Sequence, residues 1–138
     1  MKIQWERAKG IVKDETIEDM ECRIGYELPL DYIDVIKENN GAIPIQDHFD
    51  IEDKSWTFAT LLEISPGKPF SVEGMYEILK DDLEIEGVVP FATDIADNLY
   101  CFDYRKDKKR PTIVFMDHEG EESEYLCRTF TQLLSKLY

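Results

Sequence analysis

The stretch from Ile17 to Pro44, IEDMECRIGYELPLDYIDVIKENNGAIP, constrains this chain more than any other part of it. Its punctuation predicts two short helices with a hard break between them. Thr16 is placed to cap the first, because Asp19 three residues on resembles the reciprocal partner of a capping box. Ile17, Met20 and Ile24 then recur at the spacing that puts them on one helical face. Gly25 ends that helix, and Leu28-Pro29 forces an extended turn, since the residue before a proline is driven out of the helical region. In the second helix Tyr32, Val35 and Ile36 form the apolar stripe, and Asn39-Asn40-Gly41 supplies a left-handed stop.

Around this hairpin the chain divides into recognisable pieces without repeats, low-complexity tracts or a Gly/Ser-rich linker. Residues 1–13 are expected to form a short leading helix with Trp5, Ala8, Ile11 and Val12 on its apolar face. Ile43 to Ile51 and Trp56 to Ile64 read as two strands, with Asp53-Lys54 as the turn between them. Ser65 to Pro69 is a loop, after which Ser71 caps a helix bearing Val72, Met75, Tyr76 and Leu79. Gly74 weakens that helix by about 1 kcal/mol. The acidic stretch Asp81 to Gly87 leads into three convincing strands, Val88 to Ala92, Leu99 to Tyr104 and Thr112 to Met116, each dominated by β-branched or aromatic residues. Tyr125 to Cys127 reads as one more short strand. Phe130, Leu133, Leu134 and Leu137 follow the spacing of an amphipathic helix that lies across the sheet. Helices at both ends of a run of strands give an α+β domain with a mostly antiparallel central sheet.

The punctuation itself carries a resemblance. A glycine, a Leu-Pro-x-x-Tyr start and an Asn-Gly stop resemble the N-terminal signature of the SUKH superfamily, the group that includes the yeast Smi/Knr cell-wall-assembly regulator and many bacterial immunity proteins. Val88 to Asp94 with Asn98 to Tyr104 is similar to the family's paired central strands. Pro111 to Glu119 is similar to its next strand, and Thr129 to Leu134 to its closing Ser-Phe-x-x-Phe-Leu helix. The match runs from about Thr16 to Leu137. It departs where the family has glycine before the second central strand, for Ala96 and Asp97 stand there and leave the geometry of that turn open. The resemblance implies the same α+β architecture, and an immunity protein that binds and neutralises a cognate toxin domain without turnover.

Length and composition bound the rest. A chain of 138 residues reads as one domain, 1–138, large enough to sustain one core. No apolar run approaches the ~20 residues that cross a bilayer, and the first residues lack the apolar stretch of a secretion signal, so a cytoplasmic location is expected. Cys22, Cys101 and Cys127 are odd in number and widely spaced. They fit neither a disulfide framework nor a zinc site and are expected to be small buried hydrophobes.

The formal net charge is −14, where a magnitude of about 2–8 is usual for a small domain. Arg105, Lys106, Lys108, Lys109 and Arg110 crowd into one hairpin loop around Asp107. Outside residues 105–110 the chain carries 11 basic against 29 acidic residues, a net charge of −18. Such a surface repels nucleic acid and anionic membrane, and it attracts cationic partners. The basic loop has no aromatic residue for base stacking and reads as a solvated hairpin tip, with a docking site for an acidic partner as the alternative.

Catalytic equipment is scarce, so no enzymatic activity and no cofactor are expected. The chain has no nucleophile elbow, phosphate loop or dinucleotide fingerprint. A Cys101–His118 pair would place its thiolate in an apolar strand, where it is disfavoured. Asp117-His118-Glu119 cannot converge on one metal from a strand end without a bend. Glu52-x-Lys54 echoes carboxylate nucleases but lacks a basic groove to hold a polyanion. What remains is a partner-binding surface in two acidic clusters. Asp47, Asp50, Glu52 and Asp53 gather around Phe49 and Trp56, which are expected to act as aromatic anchors. Asp117, Glu119, Glu121, Glu122 and Glu124 gather after the last main strand. The expected partner is a basic toxin domain, of the nuclease type. A regulatory scaffold with no toxin partner is the alternative, and the sequence leaves open which cluster faces a partner and whether a pocket holds a small ligand.

Overall fold

The computed structural model describes residues 3–120 and 122–138. In chain order it runs β1 (Trp5–Glu6), α1 (Asp14–Ile24), α2 (Leu30–Ile36), β2 (Ile43–Pro44), β3 (His48–Ile51), β4 (Lys54–Thr57) and β5 (Thr60–Leu61). It continues through α3 (Val72–Glu77), a π-helical turn at Ile78–Asp82, β6 (Val88–Thr93), β7 (Leu99–Asp103), β8 (Thr112–Met116), β9 (Ser123–Cys127) and α4 (Phe130–Ser135). The central sheet is antiparallel throughout, in the order β5-β6-β7-β8-β9, and two small antiparallel pairs, β1-β2 and β3-β4, stand beside it. This is an α+β fold.

The helical hairpin forms as its punctuation dictates. Ile17, Met20 and Ile24 are buried on one face of α1, and Gly25 closes the helix at φ 85°, where its N–H donates to the carbonyl of Glu21. The start differs: Lys13, not Thr16, stands at the N-cap, with no side-chain cap bond. Asp14 and Glu15 in the first turn instead face the positive end of the helix dipole. The break between the helices is pinned from three sides. Glu21 Oε2 accepts from the Leu28 N–H at 2.6 Å, Tyr76 donates to the Ile24 carbonyl at 3.1 Å, and Tyr104 donates to the Glu27 carbonyl at 2.7 Å. Beyond α2, Asn40 works like a strand residue: its side-chain amide exchanges two hydrogen bonds, 2.7 and 3.2 Å, with the backbone of Ile64.

The two faces of the sheet carry unequal cores. On one, Tyr32 of α2 makes edge contacts with Phe91, Phe102 and Phe130, joining α2, the sheet and α4. On the other, Val88, Leu99, Cys101, Val114 and Met116 pack beneath Leu79 of the π-helical turn. Ser71 caps α3 by accepting from the Gly74 N–H at 3.0 Å. Gly74 is required there, since a Cβ would stand 2.2 Å from the Pro69 carbonyl oxygen.

Several expectations are corrected. Residues 3–13 form no helix; Trp5 and Glu6 pair with Pro44 and Ile43, Ala8 and Ile11 are exposed, and Arg7 and Gly10 adopt positive φ, which a helix forbids. Met1 and Lys2 of that expected helix lie outside the described residues. The expected strand Ile43 to Ile51 is broken into β2 and β3, and Trp56 to Ile64 into β4 and β5, because the chain passes from the β1-β2 pair to the β3-β4 hairpin and from that hairpin to the central sheet. The hairpin turns at Glu52-Asp53, one residue earlier than expected, with Glu52 at φ 56°. Cys101 and Cys127 are buried but Cys22 is exposed, on the face of α1 turned away from Ile17, Met20 and Ile24.

Candidate functional site

Antiparallel pairing sends the β6-β7 and β8-β9 turns to one end of the sheet and the β7-β8 loop to the other. At the first end Asp94 organises the β6-β7 turn. Its carboxylate accepts from the N–H groups of Ala96 and Asn98, both at 2.9 Å, and from the Asn98 side chain at 3.1 Å. Asp97 takes the left-handed position at φ 63°, which Asp tolerates better than most residues with a Cβ. Asn98 then reaches across to the next turn, accepting from the His118 N–H at 3.1 Å.

The β8-β9 turn repeats the device. Asp117 accepts from the Gly120 N–H through its carbonyl and from the Glu122 N–H through its carboxylate. Glu119 and Glu122 are exposed, whereas Asp117 is half-buried and takes part in the turn. Gly120 sits at φ 73°, and a Cβ there would lie 2.8 Å from Ile85 and 2.9 Å from Leu83. That contact draws the segment Leu83–Ile85 against the turn and adds the exposed Glu84 to the same neighbourhood. The acidic stretch at 81–86 was visible in the sequence, but only the Gly120 contact places part of it here. Glu121 lies outside the described residues.

The β3-β4 hairpin approaches this end from the large-core face. Thr57 Oγ1 accepts from the Ile95 N–H at 3.3 Å, and Lys54 Nζ stands 3.6 Å from Glu124 and 4.3 Å above the Trp56 ring. Lys54 therefore ties the first acidic cluster to β9 and occupies one of its carboxylates. Asp50 is also engaged: the hydroxyls of Ser55 and Tyr138 both donate to its Oδ1 at 2.8 Å, and these bonds hold it below the usual carboxylate range. Asp47 lies 2.7 Å from His48 Nδ1. Glu52, Asp53, Glu119 and Glu122 are exposed and have no side-chain partner among the described residues.

Phe49 and Trp56 do not stand among them as exposed anchors. Phe49 is 0% and Trp56 8% exposed. Phe49 stacks on Trp56 and abuts Tyr100, and Trp56 meets Phe115 at 4.9 Å, so both are pinned between hairpin and sheet. Alternation explains it: in a hairpin laid on a sheet, the residues facing inward must be the apolar ones, and the carboxylates of the same strands face out. Exposed apolar groups at this end include Ile95, 78% exposed, Tyr138, 57% exposed, and Leu83, 37% exposed. Ile95 sits in the Asp94 turn and Tyr138 holds Asp50, and neither was singled out from the sequence.

The arrangement offers little chemistry of its own. Cys101 is fully buried in β7, and burial pushes its thiol far above the ordinary value, which leaves no thiolate to pair with His118. Among the described residues no group of three or more His, Cys, Asp and Glu is placed to hold a metal ion, and no helix is long and apolar enough to cross a membrane. The family model of the SMI1 / KNR4 family (SUKH-1) matches residues 11–136, and the chain belongs to that family. No curated protein matches it.

Proposed function

We propose that this chain is a non-enzymatic immunity protein that binds and neutralises the toxin domain of a cognate bacterial toxin, a basic nuclease, by covering its cationic surface. Membership of a superfamily that includes immunity proteins supports the reading. The observation that carries it is the set of exposed carboxylates, Glu52, Asp53, Glu119 and Glu122, which have no side-chain partner among the described residues of a chain whose net charge is −14. Asp47 and Glu84 extend that surface, and Ile95 and Tyr138 supply apolar contact in place of the buried Phe49 and Trp56. Nuclease domains are cationic where they hold phosphates, so an anionic protein of this kind occupies or shadows that site. Neutralisation is then stoichiometric.

The test is a tagged pull-down at low salt from cells expressing the neighbouring genes, followed by elution with high salt. One basic partner with a toxin-like C-terminal domain, released by salt, is the expected result. Reversing Glu52, Asp53, Glu119 and Glu122 to Lys should then slow its association about tenfold or more at low salt and leave thermal stability nearly unchanged. An association rate indifferent to both salt and reversal would sink the electrostatic mechanism, and a partner with no toxin domain would move the chain to a regulatory scaffold.

A further inference from the structure

The opposite end of the sheet carries a feature that the acidic surface does not explain. A cavity of about 570 Å³ opens between the α1-α2 break, the returning arm of the β7-β8 loop and the start of α4. This volume falls within the range of about 300–1,000 Å³ that small-molecule sites occupy. Its inner wall is apolar, with Phe102, Ile113 and Phe130 all at most 1% exposed. Leu30, the first residue of α2, borders the same cavity and is 79% exposed.

The polar part of the lining is cationic. Lys109, Arg110 and Arg128 all border the cavity and are all exposed, and none of their side chains has an ion pair or hydrogen bond among the described residues. Two carboxylates are also present. Asp31 is already engaged: it accepts from the N–H of Tyr32, and from the N–H and hydroxyl of Thr131, at 2.8–2.9 Å. Glu27 stands at the rim, where one carboxylate faces three cations. The backbone that carries two of these cations is held in a turn. Asp107 fixes the arm by accepting from the N–H groups of Lys109 and Arg110 at 2.9 and 3.2 Å. Arg105 is held apart by its pair with Asp103 at 2.9 Å. The facing wall is equally set, through the bonds from Tyr104 to Glu27 and from Leu28 to Glu21.

We infer that this cavity binds a small organic anion, an aromatic or branched aliphatic body bearing one carboxylate or phosphate. The body would lie on Phe102, Ile113 and Phe130 with Leu30 closing over it, and the anion would meet Arg110, Arg128 and Lys109. A large acidic protein is the poorer occupant, because the net charge of −14 repels it at every approach. A ligand with one or two charges meets little of that repulsion, since screening at about 8 Å leaves the three nearby cations dominant. The site is independent of the acidic surface and lies at the other end of the sheet from it.

The experiment is an amide-resolved NMR titration of the full chain with 4-phenylbutyrate and with phenyl phosphate. The neutral 4-phenylbutanol and the acidic peptide Ac-EEFEE-NH2 serve as comparisons. Saturable shifts are expected at Leu28, at Lys109, Arg110, Thr112 and Ile113, and at Arg128 to Phe130, weakening as salt is raised. R110E/R128E should weaken binding at least about tenfold while amides of the acidic turns keep their positions, and R110Q/R128Q should fall between. Absent or scattered shifts would overturn the site. Equal binding of the alcohol would overturn its preference for anions, and tighter binding of the peptide would reassign it to an acidic protein segment. None of these outcomes bears on the four outward carboxylates, so failure here and failure of the immunity reading are separable.

Discussion

The two ends of the five-stranded sheet use the same device for opposite results. At each, an aspartate folds a turn by accepting backbone N–H groups: Asp94 and Asp117 at one end, Asp107 at the other. At the acidic end this consumes some of the charge that makes the region conspicuous, and Asp50 and Glu124 are consumed as well. At the basic end one carboxylate organises the loop and leaves Lys109, Arg110 and Arg128 facing a cavity. A count of charges therefore does not say which side chains at either end are left without a partner. What separates them is which charged groups the backbone has already used.

The sharpest way to break the comparison is at the core that both ends share. Phe102 lies in the wall of the cavity and against Tyr32, Phe91 and Phe130. Phe102→Ala should lower unfolding free energy by about 3–5 kcal/mol in denaturant titration. A fall below about 1 kcal/mol would mean that the basic end is not built on this core. A smaller effect separates the turns. Asp94→Ala removes three hydrogen bonds and leaves Asp97 in its left-handed conformation without support, which should cost about 1–2 kcal/mol. Asp94→Asn keeps the acceptor oxygen and should recover most of that loss. Equal losses in the two variants would show that charge, rather than turn geometry, is what Asp94 contributes.

The smallest effect concerns protonation. Hydrogen bonds from Ser55 and then Tyr138 hold the Asp50 carboxyl below its ordinary value, so the ionised form is favoured in the folded state. The stability this gives is present at neutral pH and is lost as pH falls through the lowered value of the folded state. Tyr138→Phe should move the Asp50 midpoint up toward the ordinary carboxylate value, as read by carboxyl-carbon NMR titration. An unmoved midpoint would leave Ser55 as the whole cause and would free Tyr138 to contact a partner without disturbing Asp50.

Much of the fold was legible because its signals are local. Gly25, Leu28-Pro29 and Asn40-Gly41 act on their own dihedrals, and the helical hairpin follows them closely. Ser71 caps α3 within three residues of itself. The central strands were legible for a different reason. Val88 to Thr93 is buried along its whole length, so it reads as a continuous apolar run. Residues 3–13 depart from the expected helix because the spacing of Trp5, Ala8, Ile11 and Val12 imitates one, while Arg7 and Gly10 at positive φ and the pairing with β2 decide otherwise.

The sequence by itself determined the α+β class, the sign of the net charge and the residues that punctuate the helical hairpin. These depend on composition and on neighbours a few positions apart. Only the tertiary structure decided which groups face outward. Phe49 and Trp56 share strands with Asp50 and Lys54, and nothing local says that a hairpin lies across the sheet and buries its aromatic face. Leu30, Arg110 and Arg128 lie up to 98 residues apart, and no pattern in the chain marks them as neighbours. The sheet brings them together because antiparallel pairing returns the chain to the same end after each hairpin. Burial and charge neutralisation are sums over such distant contacts, and a linear reading can name their members but not pair them.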